Sequence, residues 1–116
     1  MSNTTDFFEV LYRNFNDRKI EQVIPNMTEN VKWANGMEGG FVYGREEVRT
    51  YWTKQFKQVN SRVKPLKIET DKDIVKIKVH QVVRDLNGNL LSDSIVDHIF
   101  HMEGEQVAEF DIANIE

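Results

Sequence analysis

Residues 75–102, VKIKVHQVVRDLNGNLLSDSIVDHIFHM, decide the fold. Two runs rich in β-branched residues flank Asn87-Gly88, the strongest short-range signal for a two-residue type I′ hairpin turn. Such a turn pairs Leu86 with Asn89. It then sets Val79 opposite Val96, Ile77 opposite His98, Val75 opposite Phe100 and Gln81 opposite Ser94. Partners across an antiparallel pair share a face, so His98 joins Val75, Ile77, Val79, Val96 and Phe100. Lys78 falls opposite Asp97 on the other face, with Lys76, His80, Val82, Ile95 and Ile99. A slip of one residue would bury Lys76 and Lys78, so this register is the expected one. A single histidine on a greasy face predicts a small-molecule pocket.

The next turn leaves two readings open. Gly104-Glu105 as a two-residue II′ turn pairs Met102 with Val107 and brings His98 across from Asp111. A bulge moves this register by one and turns Phe110 inward instead. In the first reading, His98 and Asp111 form an acid/base pair, with the carboxylate raising the histidine pKa above its ordinary value of about 6.5. Otherwise His98 is a pocket-lining histidine satisfied by a backbone or tyrosine partner.

Ahead of the hairpins the pattern is helical. Phe7, Phe8, Leu11, Tyr12 and Phe15 recur at helical spacing up to the Asn16-Asp17 break. A shorter helix is read from Ile20 to Met27, limited by Pro25. Asn30 to Asn35 reads as a short strand, and Gly36, Gly39, Gly40 and Gly44 mark a loop. Arg45 to Val59 reads as a third helix, with acidic residues in its first turn. Strands follow at Lys64–Glu69, Asp73–Asp85, Leu90–Met102 and Val107–Ile115. Helices first and strands after are the order of an α+β domain.

Length and composition fit that class. The chain has 116 residues, 40% of them hydrophobic and 29% charged, enough for one domain with one core. Zero cysteines remove disulfides, thiolate metal sites and thiol nucleophiles. The net charge of −4 argues against a nucleic-acid partner. No apolar run suits a membrane span, and the N-terminus lacks a secretion signal. The cytoplasm is the default compartment. The three histidines lack metal-ligand spacing, so neither a metal nor another cofactor is expected.

Around the glycine loop lie aromatic and amide groups. Trp33, Tyr51, Trp52 and Phe56 either stack a flat ligand or form core. Trp33 and Tyr51 are read as pocket wall, Trp52 and Phe56 as core, with Trp52 bordering the site. Asn35, Gln55 and Gln81 carry amides able to orient a carbonyl or hydroxyl. With Phe100, the expected ligand-binding set is Trp33, Asn35, Tyr51, Trp52, Gln55, Gln81 and Phe100. The expected ligand is a small hydrophobic or aromatic molecule.

Three blocks carry a family resemblance: W-x-N-G-x-x-G-G at 33–40, G-R-E-x-V-x-x-Y-W-x-x-Q-F at 44–56, and H-Q-V-V-R-D-x-x-G with H-x-F at 80–100. Together they resemble the nuclear transport factor 2-like superfamily, and within it the SnoaL-like group. The resemblance implies a cone-shaped α+β roll, a curved, mostly antiparallel sheet wrapped around three helices. It also implies a conical pocket and a homodimer through the sheet's outer face. Val82, Ile95, Ile99 and Ile112 are expected to supply that interface. The fold hosts isomerases, cyclases, dehydratases and non-catalytic modules alike. Where the family's steroid isomerases carry a general-base aspartate, this chain aligns Trp33. Their helix-1 tyrosine aligns with Leu11, one residue before Tyr12. The SnoaL cyclases use a pocket aspartate near a histidine, for which Asp111 and His98 are the counterparts here. The two resulting expectations are a ligand-binding protein and a cofactor-independent isomerase, cyclase or dehydratase.

Overall fold

The computed structural model describes residues 4–36 and 38–114. Its first helix, α1 (Thr4–Asn16), buries Phe8, Leu11 and Tyr12 and half-buries Phe15, the face the helical spacing predicts. The helix stops where expected, and its end is sutured to the sheet. Asn16 Nδ2 donates to the Val63 carbonyl at 2.8 Å, and the Val63 amide donates back to Asn16 Oδ1 at 3.0 Å. Arg18, in the left-handed region at φ 65°, lays its guanidinium over the Phe56 ring at 4.3 Å and donates to the Ser61 carbonyl at 2.8 Å.

The second helix is shorter than its apolar pattern predicts. α2 covers Ile20–Val23 and tightens into a 3₁₀ turn, Ile24–Asn26, at Pro25, because proline has no amide to continue the ladder. Met27 already belongs to β1 (Met27–Ala34). The glycine loop hides a short strand, β2 (Phe41–Tyr43), which pairs with β1. α3 (Gly44–Gln58) follows, burying Val48, Trp52 and Gln55. Four long strands complete the chain: β3 (Val59–Asp71), β4 (Ile74–Asp85), β5 (Leu90–Glu103) and β6 (Gln106–Asn114). Ile115 of the expected last strand lies outside the described residues.

Among the described residues six strands form one open sheet, in the order β2-β1-β6-β5-β4-β3. Only β1 and β6 run parallel; the other neighbours are antiparallel. The architecture is the expected α+β arrangement. α1 packs on β3, and α3 packs on β1 and β3.

The β4–β5 register agrees with the count from sequence: Ile77 faces His98, Lys78 faces Asp97 and Val79 faces Val96. Val75, Ile77 and Val79 are buried, whereas Lys76 and Lys78 are exposed. The turn itself differs. The Gly88 amide bonds the Asp85 carbonyl at 3.0 Å and the Asp85 amide bonds the Asn89 carbonyl at 2.8 Å, closing a three-residue loop with only Gly88 at positive φ, 90°. Asp85 explains this: its carboxylate accepts from the Asn87 and Asn89 amides, both at 2.9 Å, an Asx-type turn. The turn moves the pairing by one residue, and a bulge at Leu91 moves it back, since Arg84 pairs with Leu90 but Val83 with Ser92.

The β5–β6 connection is the two-residue Gly104-Glu105 turn, with Gly104 at φ 64° as type II′ requires. Met102 meets Val107 as expected. One residue further a bulge intervenes: Met102 pairs with Val107 but His101 with Glu109, leaving Ala108 unpaired. Beyond it, Phe100 faces Phe110, Ile99 faces Asp111 and His98 faces Ile112.

Candidate functional site

Between α1, α3 and the concave face of the sheet lies a cavity of about 320 Å³, at the small end of the range for small-molecule sites. Its floor is aromatic. Trp33 stacks on Phe110 with ring centroids 4.2 Å apart and meets Trp52 edge-on at 5.2 Å. Phe100 lies 5.0 Å from Phe110 and 4.6 Å from Phe8. Helix α1 contributes Leu11, Tyr12 and Phe15; β3 and β4 contribute Ser61, Val63, Gln81 and Val83.

Register orders these groups along the cone. His98 and Phe100 sit in the second half of β5, and Ser92 lies six residues before His98, roughly 20 Å along the strand. Ser61 is opposite Val83, and Val83 is opposite Ser92. Ser61, Gln81 and Ser92 therefore give the hairpin-tip end a polar lining. The other end is ringed by aromatic side chains. No Asp, Glu, Lys or Arg is among the described residues that line the cavity.

The expected acid/base pair is not formed. Asp111 sits on the opposite face of β6, exposed, accepting a hydrogen bond at 2.8 Å from the Ile112 amide. The Ala108 bulge is the reason: it reverses which residues of β6 point inward, so Phe110 and Ile112 line the cavity. His98 is buried and its ring lines the cavity. Its hydrogen-bond partner is Tyr12, with Tyr12 Oη 2.7 Å from His98 Nδ1 and the rings within 14° of parallel. With no carboxylate beside it, burial alone acts on the imidazole. It pushes the pKa down to about 3, opposite to the rise the carboxylate pairing predicts. The same burial pushes the Tyr12 phenol well above its ordinary value. Both groups are neutral at pH 7.

Of the expected ligand set, Trp33, Tyr51, Trp52, Gln55, Gln81 and Phe100 line the cavity. Asn35 does not. Its carbonyl accepts from the Gly39 amide at 2.9 Å, its amide donates to Gly40, and its Oδ1 accepts from the Glu38 amide. It shapes the loop instead. Tyr51 holds the same loop, accepting from the Gly36 amide at 3.0 Å. Phe56 packs outside the cavity against Phe15, 5.3 Å away. Tyr12 was readable only as part of a buried helical face. Its hydroxyl was the available clue, because a buried phenol requires a partner. His80 lies on the outer face and bonds Asp93 at 2.6 Å. Among the described residues no three His, Asp or Glu side chains gather as a metal site, and no helix is long and apolar enough to cross a membrane.

No family model matches the chain, and no curated protein matches it. Solved structures do. TerC, co-crystallised with polyporic acid, is 19% identical with a TM-score of 0.83, over 96% of this chain and 90% of that one. An NTF2-like protein of unknown function from Burkholderia pseudomallei is 20% identical with a TM-score of 0.86, covering 99% and 92%. An LEH-like epoxide hydrolase from M. tuberculosis is 14% identical with a TM-score of 0.80, covering 95% and 80%. The chain shares the fold of these structures, one of which is described as NTF2-like.

Proposed function

We propose that this chain is a small-molecule-binding protein whose ligand, an uncharged hydrophobic or aromatic molecule, occupies the cavity between the helices and the sheet. One observation carries the reading: the lining joins stacked aromatic rings to neutral polar groups and, among the described residues, contains no charged side chain. An ion moved into such a site would lose its hydration without a counter-charge. A flat apolar ligand gains from burial against the rings, and Gln55, Gln81 and Ser61 supply orientation. Structural relatives support small-molecule binding, since TerC was co-crystallised with polyporic acid.

Acid/base catalysis is the second reading. It draws on His98 and on the epoxide hydrolase relative, but the neutral, weakly basic imidazole favours binding. A general base works best with a pKa near the operating pH, whereas burial takes His98 to about 3.

The chain has two tryptophans, and Trp33 and Trp52 both line the cavity. Titration with 2-acetylnaphthalene is therefore expected to shift both indole N–H resonances in an NMR spectrum. Amides on the outer face, such as that of Lys76, should stay in place. Val83→Phe, which fills the half-buried tip end, should abolish the shifts. Unmoved indole signals up to the solubility limit of the probe would refute the assignment.

The partner we propose is a second copy, joined through the outer face of the sheet. That face carries Lys64, Lys76 and Lys78 on β3 and β4, and Asp93, Asp97, Glu109 and Asp111 on β5 and β6. A twofold axis along the strands lays each basic half over the partner's acidic half, the self-complementarity an isologous contact needs. Ile95 is 45% exposed there, and Asp97 Oδ1 is buried with no hydrogen-bond partner among the described residues. Ile112, expected on this face, lines the cavity instead. Light scattering at micromolar concentration should give a dimer mass and Ile99→Lys a monomer; a monomeric wild type would exclude the arrangement.

A further inference from the structure

One hydrogen bond sets the chemistry of the buried end of the cavity. Tyr12 Oη and His98 Nδ1 are 2.7 Å apart, and either the phenol O–H or the imidazole N–H supplies the proton. Two observations choose between them. The phenol is neutral and has a proton to give, since burial opposes its ionisation. It is also the more acidic donor, and an imidazole nitrogen the more basic acceptor. Finally, Tyr12 has no other hydrogen bond among the described residues. If Nδ1 donated, the hydroxyl hydrogen of a side chain 4% exposed would be left without an acceptor.

With the O–H donating, the single proton of the neutral imidazole belongs on Nε2, because the bond at one ring nitrogen fixes the state of the other. Nε2 makes no hydrogen bond among the described residues, and it is not among the fully enclosed polar atoms. The ring is part of the cavity wall. Its neighbours in the sheet are apolar: Ile77 and Ile112 flank it across the strands, and Phe110 meets it edge-on at 4.8 Å. The Nε2–H of His98 is thus an N–H donor available to the cavity, set among largely apolar groups.

We propose that Tyr12 holds His98 in the tautomer protonated on Nε2, and that this N–H donates to the carbonyl oxygen of a flat, uncharged aromatic ketone. The inference rests on the reading of the cavity as a binding site and adds the class of ligand. A ketone matches on each count. Its oxygen accepts without bringing a hydrogen of its own that would face apolar rings. Its charge is zero, as a lining without cations requires. A carboxylate also accepts but enters with its charge uncompensated. A hydrocarbon of the same shape keeps the stacking and leaves the N–H unmade, the kind of mismatch that a polar group in an apolar site penalises.

Two measurements test this. In the free protein, the ¹⁵N shifts of the His98 ring should identify Nε2 as the protonated nitrogen and Nδ1 as the acceptor. Tyr12→Phe, which removes only the hydroxyl, should move the ring toward a mixture of tautomers. A proton found on Nδ1 in the wild type overturns the proposal regardless of any binding result. Calorimetric titrations with 2-acetylnaphthalene, 2-ethylnaphthalene and 2-naphthoate then test the ligand class. The ketone is expected to bind roughly tenfold or more tighter than either of the others, and His98→Phe should erase its advantage over the ethyl compound. Equal affinity for ketone and hydrocarbon overturns the donor role while leaving the cavity a binding site. Binding of none of the three overturns the binding-site reading and this inference with it.

Discussion

Replacing Phe100 by alanine is expected to cost the fold about 3–5 kcal/mol, a large share of the stability of a domain this size. The ring is 1% exposed. It sits within 5.0 Å of Phe8 and Phe110, and within 6.4 Å of Tyr12, Trp33 and His98. Removing it takes away the hub through which α1, β1, β5 and β6 touch, and none of these backbones is free to close the gap. The sheet is fixed by its hydrogen-bonded register, and Asn16 ties α1 to β3. Chemical denaturation should therefore give a lower midpoint with a similar slope. A loss below about 1 kcal/mol would mean that the cluster collapses around the deletion, contrary to this packing.

Acid should destabilise the protein through His98, and the sign can be worked out. In the unfolded chain its imidazole protonates near the ordinary pKa of about 6.5; in the fold, burial lowers that value to about 3. Between these two values the unfolded state binds a proton that the native state refuses, so stability falls as pH falls. The slope approaches about 1.4 kcal/mol per pH unit, a loss on the order of 3 kcal/mol by pH 4. Above pH 7 the contribution is fully present. Carboxylates also titrate at the acid end, so the quantity to measure is the difference between wild type and His98→Phe. The variant should show a shallower decline from pH 6.5 to 4, and parallel curves would show that His98 does not keep its neutral form in the fold.

How much of this was legible beforehand depends on where the information lies. The β4–β5 pairing was readable because Val75, Ile77 and Val79 alternate with Lys76 and Lys78, and only one parity buries the first set. That pattern overrode a misread turn: the Asp85 carboxylate chose a three-residue loop, and the Leu91 bulge restored the register. On β6 the pattern is weaker. Phe110 and Ile112 are apolar, but Val107 and Ala108 are apolar neighbours at the point where the register changes, so alternation could not place the bulge. Hence Asp111 could be drawn inward on paper. The aromatic wall was recognisable from Trp33, Trp52 and Phe100. The loop role of Asn35 was not, because it depends on backbone bonds to Gly39 and Gly40. The Tyr12–His98 bond joins residues 86 positions apart, and no local pattern records it.

The unpaired Ala108 also has an evolutionary meaning. Side-chain direction in a strand is a parity, and one inserted or deleted residue reverses it for everything downstream until pairing ends. Residues 109–114 are therefore a message with two frames. In the present frame the cone receives Phe110 and Ile112. With one residue inserted directly after Ala108, the bulge and the outer pairings kept, it would receive Glu109, Asp111 and Ala113, and a carboxylate would stand opposite His98. A lineage could thus pass between a hydrophobic vessel and a site holding an acid beside an imidazole by gain of a single codon. Point substitution would need several coordinated changes to reach the same end. In a fold shared by binders and enzymes, indels within the sheet are as informative about chemistry as substitutions in the pocket.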